Sequence, residues 1–493
     1  MRTVCRVDTS SHQSSSDQQP ASDLGIIRLS ASELAHFIAQ RQISPVEVME
    51  AYLARIQRLN PAIGAFVSVD VERAMANARK AEVAVMSCYP SRPLLGVPVS
   101  IKSCIDVEGL LCEAGSHLRK GCIASEDATL VARLKDAGAI VIGNTNTPEM
   151  LMAYHTKNSI YGQTNNPWDL SHTAGGSSGG EAAAIAACMS AAGIGSDGGG
   201  SIRVPAHFCG ICGLKPTPGR IPATGHYPTC AGPFSLIGVV GPMARTVADL
   251  RLLFSVIAGY DLGDPVSVPV AISAGMQDAT RQLTIGYYED DECSFPTKET
   301  RLAIRSAAFA LQDAGFRIEP FRPHGLDRAR ELWEVIFVQA GAALLKSLSK
   351  DRIAELSSDL QEFLDMADSY PPLTAECLLN TLAKRDQLRA GVLSQMERFP
   401  VLLCPVSTIP AFRHEDAGWG ERHPANYLRT MTYCQHYNLL GNPSAVVPVA
   451  ASPAGLPIGV QVVGRPYKEE EVLDVAEVLD DKFGWKPPRC SAF

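Results

Sequence analysis

The chain has 493 residues, of which 46% are hydrophobic and 19% charged, and its formal net charge is -8 at pH 7. That composition supplies a large core and excludes a chain that stays disordered throughout. It also offers no overall basic surface for nucleic acid or an anionic membrane, so small-molecule chemistry is expected, with no nucleic-acid or membrane partner.

Residues 1–25 are rich in serine and glutamine and lack the apolar core of a secretory signal, so a disordered tail and a cytoplasmic protein are expected. Fourteen cysteines are scattered without a dense framework and read as reduced. The single CxxC, Cys209 to Cys212, has no answering pair and reads as packing rather than a metal site. No linker divides the remainder, and one domain is expected over 26–485. The run of small and apolar residues within 182–195 is too short to span a bilayer.

Taken in order, Ser30 to Glu33 and Ser44 to Glu47 are capping boxes opening two helices, the second with Pro45 at its first position. Residues 94–102 read LLGVPVSIK, a strand ending on Lys102 in apolar company. Desolvation there would lower the lysine pKa and make a neutral base available. A helix over 127–138 closed by glycine and a strand over 139–143 follow, which suggests a right-handed crossover. The expected fold is therefore α/β, a mixed, largely parallel central sheet surrounded by helices.

The stretch His172 to Pro205 holds two glycine-rich loops, each carrying serine, around a small-residue helix. Ser178 to Glu181 fits a third capping box, which gives Ser178 a supporting role and leaves Ser177 without one. In the second loop Gly198, Gly199 and Gly200 precede Ser201, and such a run can turn several N–H groups toward one point. Ser201 is the candidate nucleophile. Asp197 and Arg203 are expected to form an ion pair that fixes this loop. His155, His172, His207 and His226 lack a base-and-orienter context and read as satisfied histidines. From 283 a strand, helix and strand repeat, and 331–385 is mostly helical without an assignable motif.

The segments GVPVSIK, GGSSGGEAAAIA, GSDGGGSIRVPA and FCGICGLKPT together resemble the amidase signature family of serine hydrolases. TNTPE, YGQTNNPW, GPMARTVADL and GLPIGVQVVGRP extend the resemblance in the same order along nearly the whole chain. It places core motifs in 94–250 and 433–466 and a variable, mostly helical pocket region at about 322–432.

The resemblance implies a Ser-Ser-Lys triad: Ser201 as nucleophile, Ser177 as proton relay after a cis peptide bond, and Lys102 as general base. It implies an oxyanion hole from the N–H groups of Gly198, Gly199, Gly200 and Ser201, and substrate-side positions at Leu151, Met152, Ala153 and Tyr154. No metal or organic cofactor is implied. Ser103 and Gly198 depart from the commonest pattern, which has an acidic residue and a bulkier residue there.

The expected activity is hydrolysis of a small neutral amide, extending to esters and carbamates, which present a similar carbonyl. A glutaminase component of a tRNA-dependent amidotransferase is the alternative within the family, and a homodimer is compatible with it. A nucleotide-binding protein is the alternative from another class, but the chain lacks G-x-x-x-x-G-K-[ST] here, and Lys157 precedes the loops.

Overall fold

The computed structural model describes residues 25–87, 92–273 and 282–488. Of the expected N-terminal tail, 1–24 lie outside these. Eleven strands make one sheet: β1 Phe66–Val69, β2 Pro98–Lys102, β3 Ile140–Thr145, β4 Ala192–Asp197, β5 Cys212–Lys215, β6 Val239–Ala244, β7 Thr284–Tyr287, β8 Arg317–Pro320, β9 Val401–Pro405, β10 Ser444–Ala451 and β11 Pro457–Gly464. Their spatial order is β1-β3-β2-β4-β6-β5-β10-β11-β9-β7-β8.

The mixed α/β sheet is present, but it is not largely parallel. Parallel pairing is confined to β3-β2-β4 on one side and β9-β7-β8 on the other, while every other neighbouring pair is antiparallel. Connection length accounts for two of these pairs. A parallel neighbour needs a crossover of a dozen or more residues, which the helix Thr129–Asp136 supplies between β2 and β3. β10 and β11 are joined by the short turn 452–456, where Ser452 N–H donates to Leu456 O at 2.7 Å, and so can only pair antiparallel.

Both amino-terminal capping boxes form, at Ser30 with Glu33 and at Ser44 with Glu47. The first helix, Ala31–Ala39, docks by its N-terminus on Asp249, whose carboxylate accepts from Ala31 N–H at 3.0 Å and Ser32 N–H at 2.8 Å. A carboxylate at that end also opposes the positive end of the helix dipole.

The helix Gly179–Ala186 is buried along its whole length. A Cβ on Gly180 would lie 2.4 Å from Asn146 N, so this position holds a close backbone approach that a larger residue would break.

The apolar run Leu326–Glu355, which no sequence motif marks, is long and apolar enough, by length and composition, to cross a membrane. Here it comprises the helix Ala329–Glu334, a π turn Val335–Gln339 and the helix Ala340–Ser349. Ala329, Trp333, Ile336, Val338, Ala342 and Leu345 are buried, so much of its apolar character is spent on packing.

Candidate active site

Lys102 ends β2 and is fully buried. Its ammonium nitrogen lies 2.7 Å from Ser177 Oγ and 3.0 Å from Ser196 Oγ. Burial pulls its pKa down to about 8, against the opposing influence of nearby Cys104, Asp197 and Glu181. Glu181, also buried, is pushed up to about 7 by desolvation, although its hydrogen bonds favour the charged form.

Those hydrogen bonds correct one expectation. Glu181 accepts from Ser100 Oγ and, at 2.7 Å, from Thr145 Oγ1, so it faces the sheet instead of closing a capping box on Ser178. No side-chain cap forms at Ser178, whose backbone is not extended as a capping residue requires. Its hydroxyl instead meets the backbone of Ser196, 3.3 Å from both N and O. Ser178 thus clasps the two glycine loops together, helped by Ser178 N–H donating to Ser201 O at 3.1 Å. The Gly176-Ser177 peptide bond is cis, and Thr147 Oγ1 donates to Ser177 O at 2.9 Å.

The second loop is built on Asp197. Its carboxylate pairs with Arg203 at 3.0 Å and accepts from the N–H groups of Gly200 at 2.7 Å and Ile202 at 3.1 Å. Burial alone would raise this carboxyl, but the Arg203 charge overrides it and holds the group well below the usual carboxylate range. The ion pair expected from sequence is present and buried on both sides.

Every carbonyl along this turn has a donor, three of them from distant parts of the chain. Asp197 O accepts from Asn438 Nδ2 at 3.2 Å, Gly198 O from Trp333 Nε1 at 3.0 Å, Gly199 O from Tyr154 Oη at 2.6 Å, and Gly200 O from Val204 N at 2.7 Å. Since Gly200 N–H is taken by Asp197, it is corrected out of the expected oxyanion set. The N–H groups of Gly198, Gly199 and Ser201 have no partner among the described residues. They are the donors left for a carbonyl oxygen.

Ser177 and Ser201 line one cavity. Much of its wall is apolar, from Met150, Leu151, Met152, Phe234, Ile237, Phe337, Leu344 and Leu345, with Ser196, Asp197, His226 and Thr229 as its other polar side chains. Among the expected substrate-side residues, Leu151 and Met152 line it. Ala153 and Tyr154 do not; Ala153 O packs against Gly176, and the Tyr154 hydroxyl turns to the glycine loop.

The family model for Amidase matches residues 47–473. The chain is 32% identical to a component of the glutamyl-tRNA(Gln) amidotransferase of Methylacidiphilum infernorum, over 94% of this chain and 96% of that one. It is 35% identical to an indoleacetamide hydrolase of Bradyrhizobium diazoefficiens, over 92% and 86%. Among solved structures, a bacterial aryl acylamidase of the amidase signature enzymes superposes with a TM-score of 0.81 at 25% identity, covering 93% of this chain and 96% of that one. The chain belongs to the amidase signature family.

Amidase signature enzymes are hydrolases of amide C–N bonds, and three features of this member were not legible in its motifs. Ser196, the second contact of Lys102, stands beside Asp197 at the end of β4, in a motif carried by its glycines. His226 reaches the cavity wall together with Cys230, which lies 3.7 Å from Nδ1; Cys104 lies 3.6 Å from Nε2. Burial opposes charge on His226, but the flanking thiols hold its pKa well above the ordinary value. Trp333 and Phe337, four apart on a helix and therefore on one face, come from the region without motifs.

The other histidines find partners: His155 with Tyr427 and Asp359, His172 with Asp169, and His207 with Gly459 N–H at 2.7 Å. In the CxxC, Cys209 Sγ donates to Ala174 O at 3.3 Å and Cys212 Sγ to Arg245 O at 3.7 Å.

Proposed function

We propose that this member is a serine amidohydrolase for a small neutral amide with an apolar or aromatic acyl group. The observation that carries the reading is the Lys102–Ser177 contact at 2.7 Å, with Ser201 in the same apolar cavity. Ser201 Oγ attacks the carbonyl carbon and its proton passes to Ser177 Oγ, whose own proton goes to neutral Lys102 Nζ. The oxyanion is received by the free N–H groups of Gly198, Gly199 and Ser201. Collapse breaks the C–N bond as the relay returns a proton to the leaving nitrogen. Water then attacks the acyl-enzyme and regenerates Ser201.

Ser201 Oγ has no hydrogen-bond partner among the described residues, and such contacts commonly tighten only when substrate is bound. The substrate class follows from the walls. A glutamine would bring a carboxylate, which His226 can meet, and an ammonium, for which the one carboxylate in the lining, Asp197, is already spent on Arg203. Burying unpaired charge there is costly, whereas an arylacetamide brings none. The likeness to an indoleacetamide hydrolase supports this, and the likeness to amidotransferase components favours the glutaminase as second reading.

The test is ammonia release by the purified chain alone from arylacetamides, aliphatic amides and glutamine, with alcohol release followed for matched esters and carbamates. Turnover of arylacetamides that disappears in Ser201→Ala is expected. Glutamine turnover appearing only with added amidotransferase partner chains would replace this reading by the second one.

A further inference from the structure

The four carbonyls of the oxyanion turn are anchored by different parts of the molecule. Val204 belongs to the helix Arg203–Cys209, packed on the sheet, Asn438 to the helix Thr432–Leu439, and Tyr154 follows the TNTPE segment. Trp333 alone comes from the apolar wall that also lines the cavity. Across a planar trans peptide the C=O and the next N–H point in opposite directions, so fixing one aims the other. The unit between Gly199 and Gly200 is clamped at both ends, by Tyr154 on its oxygen and Asp197 on its N–H. The unit between Gly198 and Gly199 is clamped only at its oxygen, by the Trp333 indole at 3.0 Å. Its free end is Gly199 N–H.

Trp333 is fully buried and stacks on Phe337, with ring centroids 4.5 Å apart and planes 12° from parallel. Phe337 in turn reaches the cavity and sits 3.2 Å from where a Gly198 Cβ would lie. A Cβ on Gly199 would come within 2.6 Å of the Trp333 ring. The glycines and the two rings therefore fit one another, and an acyl group seated against Phe337 presses on the stack that holds the Gly198 carbonyl.

We infer that Trp333 is a positioning residue for the oxyanion loop, and that the Trp333–Phe337 stack couples acyl-group fit to kcat. The inference rests on Ser201 being the nucleophile. Trp333→Phe keeps a ring and removes the N–H. Its expected effect is a fall in kcat of roughly 10- to 100-fold, the scale found when supporting hydrogen bonds are lost, with KM within about twofold, as for an interaction made only in the transition state. A boronic acid carrying the acyl group, which forms a tetrahedral adduct, should weaken by a similar factor. The carboxylic acid product should bind as before. Phe337→Leu keeps the indole donor, and its kcat loss should differ between a bulky and a small acyl group.

If Trp333→Phe melts near the assay temperature, replacing the indole at this position by benzothiophene removes the N–H at nearly constant shape and carries the same expectation. Unchanged kcat and unchanged boronate affinity in a folded variant would overturn the inference. Retention of activity in Ser201→Ala would instead overturn the reading beneath it, so the two failures are distinguishable.

Discussion

The two sides of the cavity are held by different physics. On the serine side, a glycine turn is fixed by a buried ion pair and by hydrogen bonds to each of its carbonyls. On the opposite side, residues 329–349 are held by ring stacking and aliphatic packing, with Trp333 as the hydrogen bond between the two. Directional bonds to a buried charge permit one geometry and penalise every substitution. Apolar packing tolerates exchange of volume at low cost. The serine side should therefore fix the reaction and the wall should fix which acyl group is accepted.

Removing the nucleophile tests that division most sharply. Ser201→Ala should lower kcat by about 10⁵- to 10⁶-fold, the scale for loss of a serine nucleophile, and should abolish labelling by a fluorophosphonate read as intact mass. Labelling should weaken strongly, without vanishing, in Ser177→Ala and Lys102→Ala. Undiminished labelling of Ser201→Ala would move the reaction to another residue and dissolve the comparison.

Next in size is the stability of the turn. Asp197→Asn leaves Arg203 buried without its counter-charge, and breaking such a pair costs about 3–5 kcal/mol. A clear drop in melting temperature should accompany loss of activity. No wall substitution of similar volume should do as much. A melting temperature equal to wild type would show that the turn does not depend on its ion pair.

The third test is pH. The base must be neutral, and burial brings Lys102 down to about 8, so kcat/KM should rise as pH increases through that value, falling about tenfold per unit below it. Glu181, at about 7, is largely ionised at the Lys102 midpoint, and its charge favours the ammonium. Glu181→Gln removes that charge and should move the midpoint to lower pH; a shift upward would mean that the carboxyl acts otherwise. Because the two groups are coupled, the midpoint belongs to both.

How far each side could be read from the sequence follows the same division. Glycine runs, a strand ending on lysine, and Asp197 six residues from Arg203 are local patterns, and the site they define was legible, including its ion pair. What misled was local too: Ser178 and Glu181 have capping-box spacing, but Glu181 meets Ser100 and Thr145, partners brought in by the sheet. Gly200 looked like its neighbours until Asp197 claimed its N–H. The parallel share of the sheet was overestimated because the crossover near Lys102 was extended to strands whose neighbours are mostly distant in sequence, so that their direction is not readable locally. On the wall, the apolar positions of 329–349 give a helix from sequence but not its target, since nothing in Trp333 or Phe337 names the carbonyl or cavity they meet.

The smallest expected effect bears on the wall directly. Leu345 is buried and lines the cavity from Ala340–Ser349, away from the glycine turn's anchors. Leu345→Val removes one methylene, and a methylene in an apolar pocket is worth about 1–3 kcal/mol of discrimination at most. Partial collapse of the helix onto the gap should keep the change near the lower limit. The ratio of kcat/KM for a larger over a smaller acyl amide should therefore rise about three- to tenfold, with the pH midpoint unmoved because Lys102 is untouched. A changed midpoint with an unchanged ratio would reverse the assignment, placing the wall in the proton relay and leaving acyl selection to the serine side.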